Sequence, residues 1–271
     1  MPLSHVALLA ALEGAAEALP VSGSAHGVVA RLWLDGDGAA GRVEAAILLG
    51  TALGIAAAAR RRLFAALGEG VRAIARPALF RGSAAAHDAA VLGVGGAVSL
   101  IVGGAALPRV ELWGQSPTAA GIGLVLTGLA LASTLFATGL RVRPSGPRPT
   151  LPGMVVVGLA HGLAVFPGAS RVGAALTLLL WTGVRQERAV DLALLLTVPA
   201  LLLAAARAPG GAELDAGLFA LAVVVAFVAA AAGSEALRAL AERRRVGALA
   251  LWTIPLGLAM LAYARALPRA A

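Results

Sequence analysis

Two short, chemically dense stretches interrupt a chain that is otherwise apolar. The first, EGAAEALPVSGSAH at residues 13–26, holds two acids, two serines and a histidine; the second, PGASRVGAA at 167–175, holds a serine–arginine pair. Glu13 and Glu17 stand four residues apart and share one face of any helix that carries them. Near the centre of a bilayer a carboxylate costs at least ~2.5 kcal/mol, and two like charges add repulsion. Three arrangements relieve that cost. The acids share a divalent cation, Mg²⁺ or Ca²⁺, both of which take oxygen ligands; or one carries a proton and hydrogen-bonds within the bundle; or both sit at a wet rim and are solvated.

Past Pro20, Ser22 and Ser24 have the side chains of helix N-caps, and Gly23 between them lets a ligand approach the backbone. Free N–H groups at such a helix start attract phosphate. His26 follows in the first turn, either as a structural histidine or as a working one beside two acids. Arg171 is the one arginine of an otherwise apolar stretch. Its guanidinium keeps its charge, so it needs Glu13, Glu17 or a ligand phosphate as partner, and Ser170 adds a donor. Together these groups describe a pocket for a polyanion at mid-membrane depth, and a lipid diphosphate has that character. Positioning and charge stabilisation, the main requirements of phosphoryl transfer, are within its means.

The elements that must hold these groups follow from hydropathy. The 271 residues are 59% hydrophobic and 13% charged, far from the roughly 45–50% and 25% of soluble domains. Lipid is part of the solvent of this chain. All 22 basic residues are Arg, and there is no Cys, which excludes disulfides, thiolate metal sites and cysteine nucleophiles. The net charge of +8 does not point to nucleic acid, because aromatics are 4% and the arginines cluster at the ends of apolar segments. The N-terminal stretch lacks a basic region and contains Glu13 and Glu17, so it reads as part of the fold and not as a signal peptide.

Six spanning helices are expected, near 43–59, 89–107, 118–140, 189–206, 217–233 and 247–264, joined by polar connections that include 60–88 and the SEALRALAERRR segment. The runs 5–18 and 22–34, split at Pro20, are each only ~20 Å long as helix and too short to cross; so are 153–166 and 172–184, split at Pro167–Gly168. Each pair reads as a re-entrant hairpin, tolerated at depth where it lines a cavity. The expected fold class is therefore an all-α polytopic membrane protein, a single domain over 1–271, with two inverted-topology repeats at about 1–140 and 153–271. Glu13-Gly14 matches His161-Gly162, and VEAAILLGTALG from Val43 matches VDLALLLTVPAL from Val190. With the 60–88 loop placed in the cytoplasm, 15 arginines fall on that side and 6 opposite, which puts both termini outside.

At these residues the chain resembles the undecaprenyl-pyrophosphate phosphatase family, the bacitracin-resistance proteins. Its first signature, roughly E-G-x-T-E-F-L-P-V-S-S-T-G-H, corresponds to residues 13–26; its second, roughly P-G-x-S-R-S-G-x-T, to 167–175. Weaker echoes run through LLGTALGIAAAARRRLF (48–64) and DLALLLTVPA (191–200). The resemblance implies a multi-pass enzyme of the bacterial inner membrane. It implies removal of the terminal phosphate of undecaprenyl pyrophosphate with a divalent cation, recycling the carrier lipid for cell-wall synthesis. A polyprenyl diphosphate is then the partner, nucleic acid is not, and a homodimer is possible.

Carried over by position, Glu13 and Glu17 are the metal ligands, and Glu17, His26, Ser24 and Arg171 the catalytic set. Ser22, Gly23, Ser170 and Arg171 bind the substrate. The chain departs from the pattern at Gly23, where the family has a second serine, and at Val172 and Ala175, where it has hydroxyls. His161 stands where the family usually has Gln. Without a serine at 23, the attacking group must be Ser24, His26 or a metal-activated water. The alternative function is a polyprenyl-phosphate flippase, or an impaired paralogue that binds without hydrolysis.

Overall fold

Helix α1 (Leu3–Ala18) stops where Pro20 requires it to. The residue before a proline is driven out of helical geometry, and Leu19 is extended at φ −76°, ψ 142°. The Val21 amide donates back to the Leu19 carbonyl at 2.7 Å, closing a tight turn about Pro20. Helix α2 (Gly23–Trp33) then returns alongside α1. The computed structural model describes residues 2–33, 40–137, 148–208 and 215–266. Residues 138–140 of the expected third span, and Arg141, Arg143 and Arg269 of the charge count, lie outside them.

The chain continues through α3 (Ala40–Ala58), α4 (Arg60–Ala75), the single turn α5 (Leu79–Gly82), α6 (Ala84–Val110) and α7 (Pro117–Ala137). A second pair of short helices follows, α8 (Leu151–Leu163) and α9 (Arg171–Trp181), and then α10 (Gln186–Arg207), α11 (Ala216–Glu242) and α12 (Ala250–Ala266). The protein is all-helical over the described residues. Six helical stretches there are long and apolar enough to cross a membrane, and they coincide with the six expected spans.

Two expectations change in detail. The 60–88 connection is not a loop but α4 and α5, and the SEALRALAERRR segment continues α11 as far as Glu242. Both segments are rich in Ala, Leu, Glu and Arg, strong helix formers, so the helix outlasts the hydrophobic run.

Small residues bring the helices together. A β-carbon on Gly14 of α1 would stand 2.8 Å from the Ala226 carbonyl oxygen of α11, and one on Gly162 of α8 would stand 2.7 Å from that of Ser99 in α6. Backbones approach this closely in lipid because packing, rather than apolar transfer, drives association there. Helix α1 thus lies on α11 as α8 lies on α6, through the two glycines paired in the sequence comparison; α7 packs on α12 and α3 on α10. The core between them is built from Ile55, Leu131, Met154, Leu176, Leu192, Leu194 and Leu196.

At the arginine-rich end, buried Asp88 of α6 pairs with Arg62 of α4 at 2.6 Å and with Arg188 of α10. Asp191 of α10 accepts from Arg62 and from Arg238 of α11, both at 2.9 Å. Four helices are tied by this ladder.

Candidate functional site

The acids of α1 face glycines of α2. A β-carbon on Gly23 would lie 2.7 Å from Glu17 Oε2, and one on Gly27 would lie 2.9 Å from Glu13 Cδ. The four-residue spacing of the acids is therefore met by an equal spacing of glycines running the other way. The room a side chain would take at Gly23 is filled by the Glu17 carboxylate.

Each carboxylate holds a guanidinium. Arg31, in the last turn of α2, donates to Glu13 Oε1 at 3.3 Å, and Arg171, the first residue of α9, lies with Nε 3.2 Å from Glu17 Oε1. The second pair joins the two short-helix units directly. Of the partners open to Arg171, Glu17 is the one present, as an ion pair.

Ser22 has a left-handed backbone, φ 70°, strain of order ~1–3 kcal/mol that clusters at working sites. Its Oγ caps α2 by accepting from the Ala25 amide at 3.4 Å and lies 3.2 Å from Ser24 Oγ. Ser24 does not cap. It lies inside the first turn, exposed, and accepts from the Gly168 amide at 3.3 Å, a second direct link between the two tips. Ser170 caps α9 by accepting from the Gly173 amide at 3.0 Å. Gly168 takes φ +81°, a conformation that favours glycine. Thr127 of α7 clamps this tip, donating to the Gly168 carbonyl at 3.2 Å and accepting from the Ser170 amide at 3.0 Å.

His26 is buried, and its tautomer follows from its partners. The Ser22 carbonyl, 2.8 Å from Nδ1, only accepts, so Nδ1 carries the proton. The indole N–H of Trp252, 3.0 Å from Nε2, only donates, so Nε2 is the acceptor. The rings lie within 14° of coplanarity with centroids 6.2 Å apart, the arrangement of an in-plane hydrogen bond. Trp252, on α12, is 57% exposed.

The Glu17–Arg171 pair and the Ser24–Gly168 bond join the two tips, His26 and Ser24 both lie against Ser22, Ser170 caps α9 beside Arg171, and Glu13 pairs separately with Arg31. The sequence reading missed Gly27, Arg31, Thr127 and Trp252. Only Gly27 carried a local signal, its spacing from Gly23. His161, which the expected repeat pairs with Glu13, is fully buried in a separate network: it donates from Nε2 to Thr197 Oγ1 at 3.1 Å and accepts at Nδ1 from Ser99 Oγ at 2.6 Å.

Glu13 and Glu17 supply carboxylate oxygens, and among the described residues no three His, Cys, Asp or Glu side chains come together. Carboxylate oxygens of this kind would suit a hard divalent cation, Mg²⁺ or Ca²⁺, with further oxygens from a phosphate ligand or water.

Comparison with known proteins agrees with the motifs. A model of the family described as bacitracin resistance protein BacA matches residues 6–259. A protein of Korarchaeum cryptofilum (strain OPF8) named undecaprenyl-diphosphatase is 34% identical over 206 residues, 74% of this chain and 75% of that one. One of the same name from Sphingopyxis alaskensis is 31% identical over 203 residues, 74% of this chain and 73% of its own. A third, from Alcanivorax borkumensis, is 28% identical over 267 residues and covers 94% of this chain and 96% of its own.

Proposed function

Because the chain belongs to the bacitracin resistance protein BacA family, we propose that it hydrolyses undecaprenyl pyrophosphate to undecaprenyl phosphate and inorganic phosphate. The observation that carries this reading is the Glu17–Arg171 pair, which joins the two tips beside Ser24 and His26.

Arg171 exchanges Glu17 for diphosphate oxygens and holds the charge that grows on the leaving phosphate, assisted by Ser170 and the positive ends of α2 and α9. His26 has one lone pair for chemistry, at Nε2, and takes the proton of the attacking oxygen, that of a water or of Ser24; where Ser24 attacks, a water then displaces its Oγ from the phosphorus to release inorganic phosphate. The new bond forms at the terminal phosphorus, and the bond to the bridging oxygen breaks. A divalent cation held by Glu17 and Glu13 would neutralise phosphate charge and lower the pKa of a bound water. Ser22, strained and capping, keeps Ser24 and the Gly23 backbone in place.

Two inverted halves meeting at mid-membrane, in the bacterial inner membrane, complete the proposal. The matched packing of Gly14 and Gly162 supports it. Gly23 favours a second reading, in which the pocket binds the lipid phosphate without hydrolysis.

Purified full-length protein with undecaprenyl pyrophosphate and Mg²⁺ is expected to release phosphate. Glu17→Gln, His26→Ala and Arg171→Ala are each expected to lower release at least about a hundredfold, the scale of losing one transition-state donor. Chelation with EDTA is expected to stop it. No release from the native chain, with lipid phosphate still bound, would support the second reading.

A further inference from the structure

Helix α4 plays no part in the site, yet it is built to meet lipid. Its inner side, Ala66 and Ala73, is buried, and it packs on α6. A second stripe, Phe64, Leu67, Val71 and Ile74, is 56–77% exposed. Apolar residues at this spacing beside spanning helices belong at the headgroup–acyl boundary. Between α4, α6, α8 and α10 lies an open cleft of about 1010 Å³, lined by Leu67, Val71, Ile74, Leu92, Leu196 and Pro199 among others, with Arg81 at its edge. That is the upper end of the ~300–1,000 Å³ of clefts that bury a small ligand.

Charge at the rim identifies the occupant. On this arginine-rich end the half-buried guanidiniums of Arg62, Arg188 and Arg238 are all paired with Asp88, Asp191 or Glu235. Arg81 and Arg148 are exposed and have no carboxylate partner among the described residues. Arg148 is anchored beside the α5 turn, its Nη1 donating to the main-chain carbonyl of Arg81 at 3.3 Å. An apolar cleft edged by the unneutralised Arg81 guanidinium, with Arg148 held against the same turn, matches a molecule with one anionic group and a hydrocarbon chain.

We propose that this cleft is a binding site for an anionic phospholipid of the surrounding leaflet, one acyl chain lying under α4 and the phosphate on Arg81 and Arg148. The site is separate from the diphosphate pocket and does not depend on its chemistry.

Gly93 permits a clean test. It lines the cleft, and a β-carbon there would meet nothing within 4 Å, so Gly93→Phe fills the space without forcing the backbone. The measurement is native mass spectrometry of the full chain in detergent, titrated separately with dioleoyl-phosphatidylglycerol and dioleoyl-phosphatidylcholine. One phosphatidylglycerol is expected to bind about ten- to thirtyfold more tightly than phosphatidylcholine, the scale of two arginines facing an anionic group. The Arg81→Gln/Arg148→Gln double variant is expected to bind the two lipids equally, and Gly93→Phe to bind neither at this site. Helical circular dichroism and phosphate release check that each variant is folded. Equal binding of the two lipids by the native chain, or unchanged binding by folded Gly93→Phe, overturns the proposal. So does occupancy by a second copy of the chain, or by a prenyl phosphate in preference to phosphatidylglycerol.

Discussion

Trp252→Phe isolates what the indole does to His26. One Nε2 lone pair cannot both accept the Trp252 N–H and take a proton from an attacking oxygen. The indole therefore caps the atom that the proposed chemistry uses, and the cap must open before that atom takes a proton. Phe keeps the ring and removes the donor. A hydrogen bond of this kind is worth about 0.5–1.5 kcal/mol net, and ~1.36 kcal/mol is a factor of ten in rate. Releasing it from the ground state should raise kcat/KM about two- to twelvefold by the same conversion. Trp252 is 57% exposed, so the exchange should leave the helices intact. The assay is steady-state phosphate release from undecaprenyl pyrophosphate, with His26→Ala in both backgrounds as the zero. Nitrogen-15 NMR of the imidazole reports the tautomer directly, and the native protein should show the proton on Nδ1. A fall of tenfold or more in kcat/KM would mean that the indole donates in the working complex, and the capping argument would fail. A proton found on Nε2 of the resting protein would sink it equally.

Gly23→Ser would place a β-carbon 2.7 Å from Glu17 Oε2 and 3.1 Å from the Glu13 carbonyl, forcing the carboxylate away from Arg171; phosphate release should fall at least about tenfold, the scale of one ~1.4 kcal/mol interaction. A gain in release would show instead that the serine is the missing nucleophile. Thr127→Val strands the Gly168 carbonyl and the Ser170 amide, at about 1–3 kcal/mol per buried group, so the midpoint of thermal unfolding should drop and KM should rise. Thr127→Ser should restore both. Asp88→Asn leaves Arg62 and Arg188 without their shared charge; breaking a buried pair costs about 3–5 kcal/mol, to be read from unfolding in detergent. Release per folded molecule should be unchanged.

The short-helix pairs were legible because length and proline act locally: a run too short to cross, stopped by Pro20 or by Pro167–Gly168, leaves few alternatives. The acids, His26 and Arg171 were legible because charge in an apolar setting demands a reason. Thr127, Trp252 and Arg31 were not. Each reaches the site from a helix whose polar residue carries no mark of which way it faces, and the charge asymmetry alone places Arg31 among the outer arginines. The helical character of 60–75 and the extension of α11 escaped for another reason. Hydropathy marks where hydrocarbon ends, whereas backbone hydrogen bonding continues wherever the residues favour it.

The Ser24–Gly168 bond places an unequal burden on its two ends. The donor is a main-chain amide, which only proline lacks, and proline cannot adopt the φ of +81° found there. Mutation therefore has almost no route to silence the donor. The whole of the variation falls on position 24, where any residue offering a compact oxygen acceptor serves. Ser in place of the family's Thr satisfies that condition. Drift at this contact is confined to one codon, and the tolerated alphabet there should be the few residues with a compact oxygen acceptor, Ser and Thr among them.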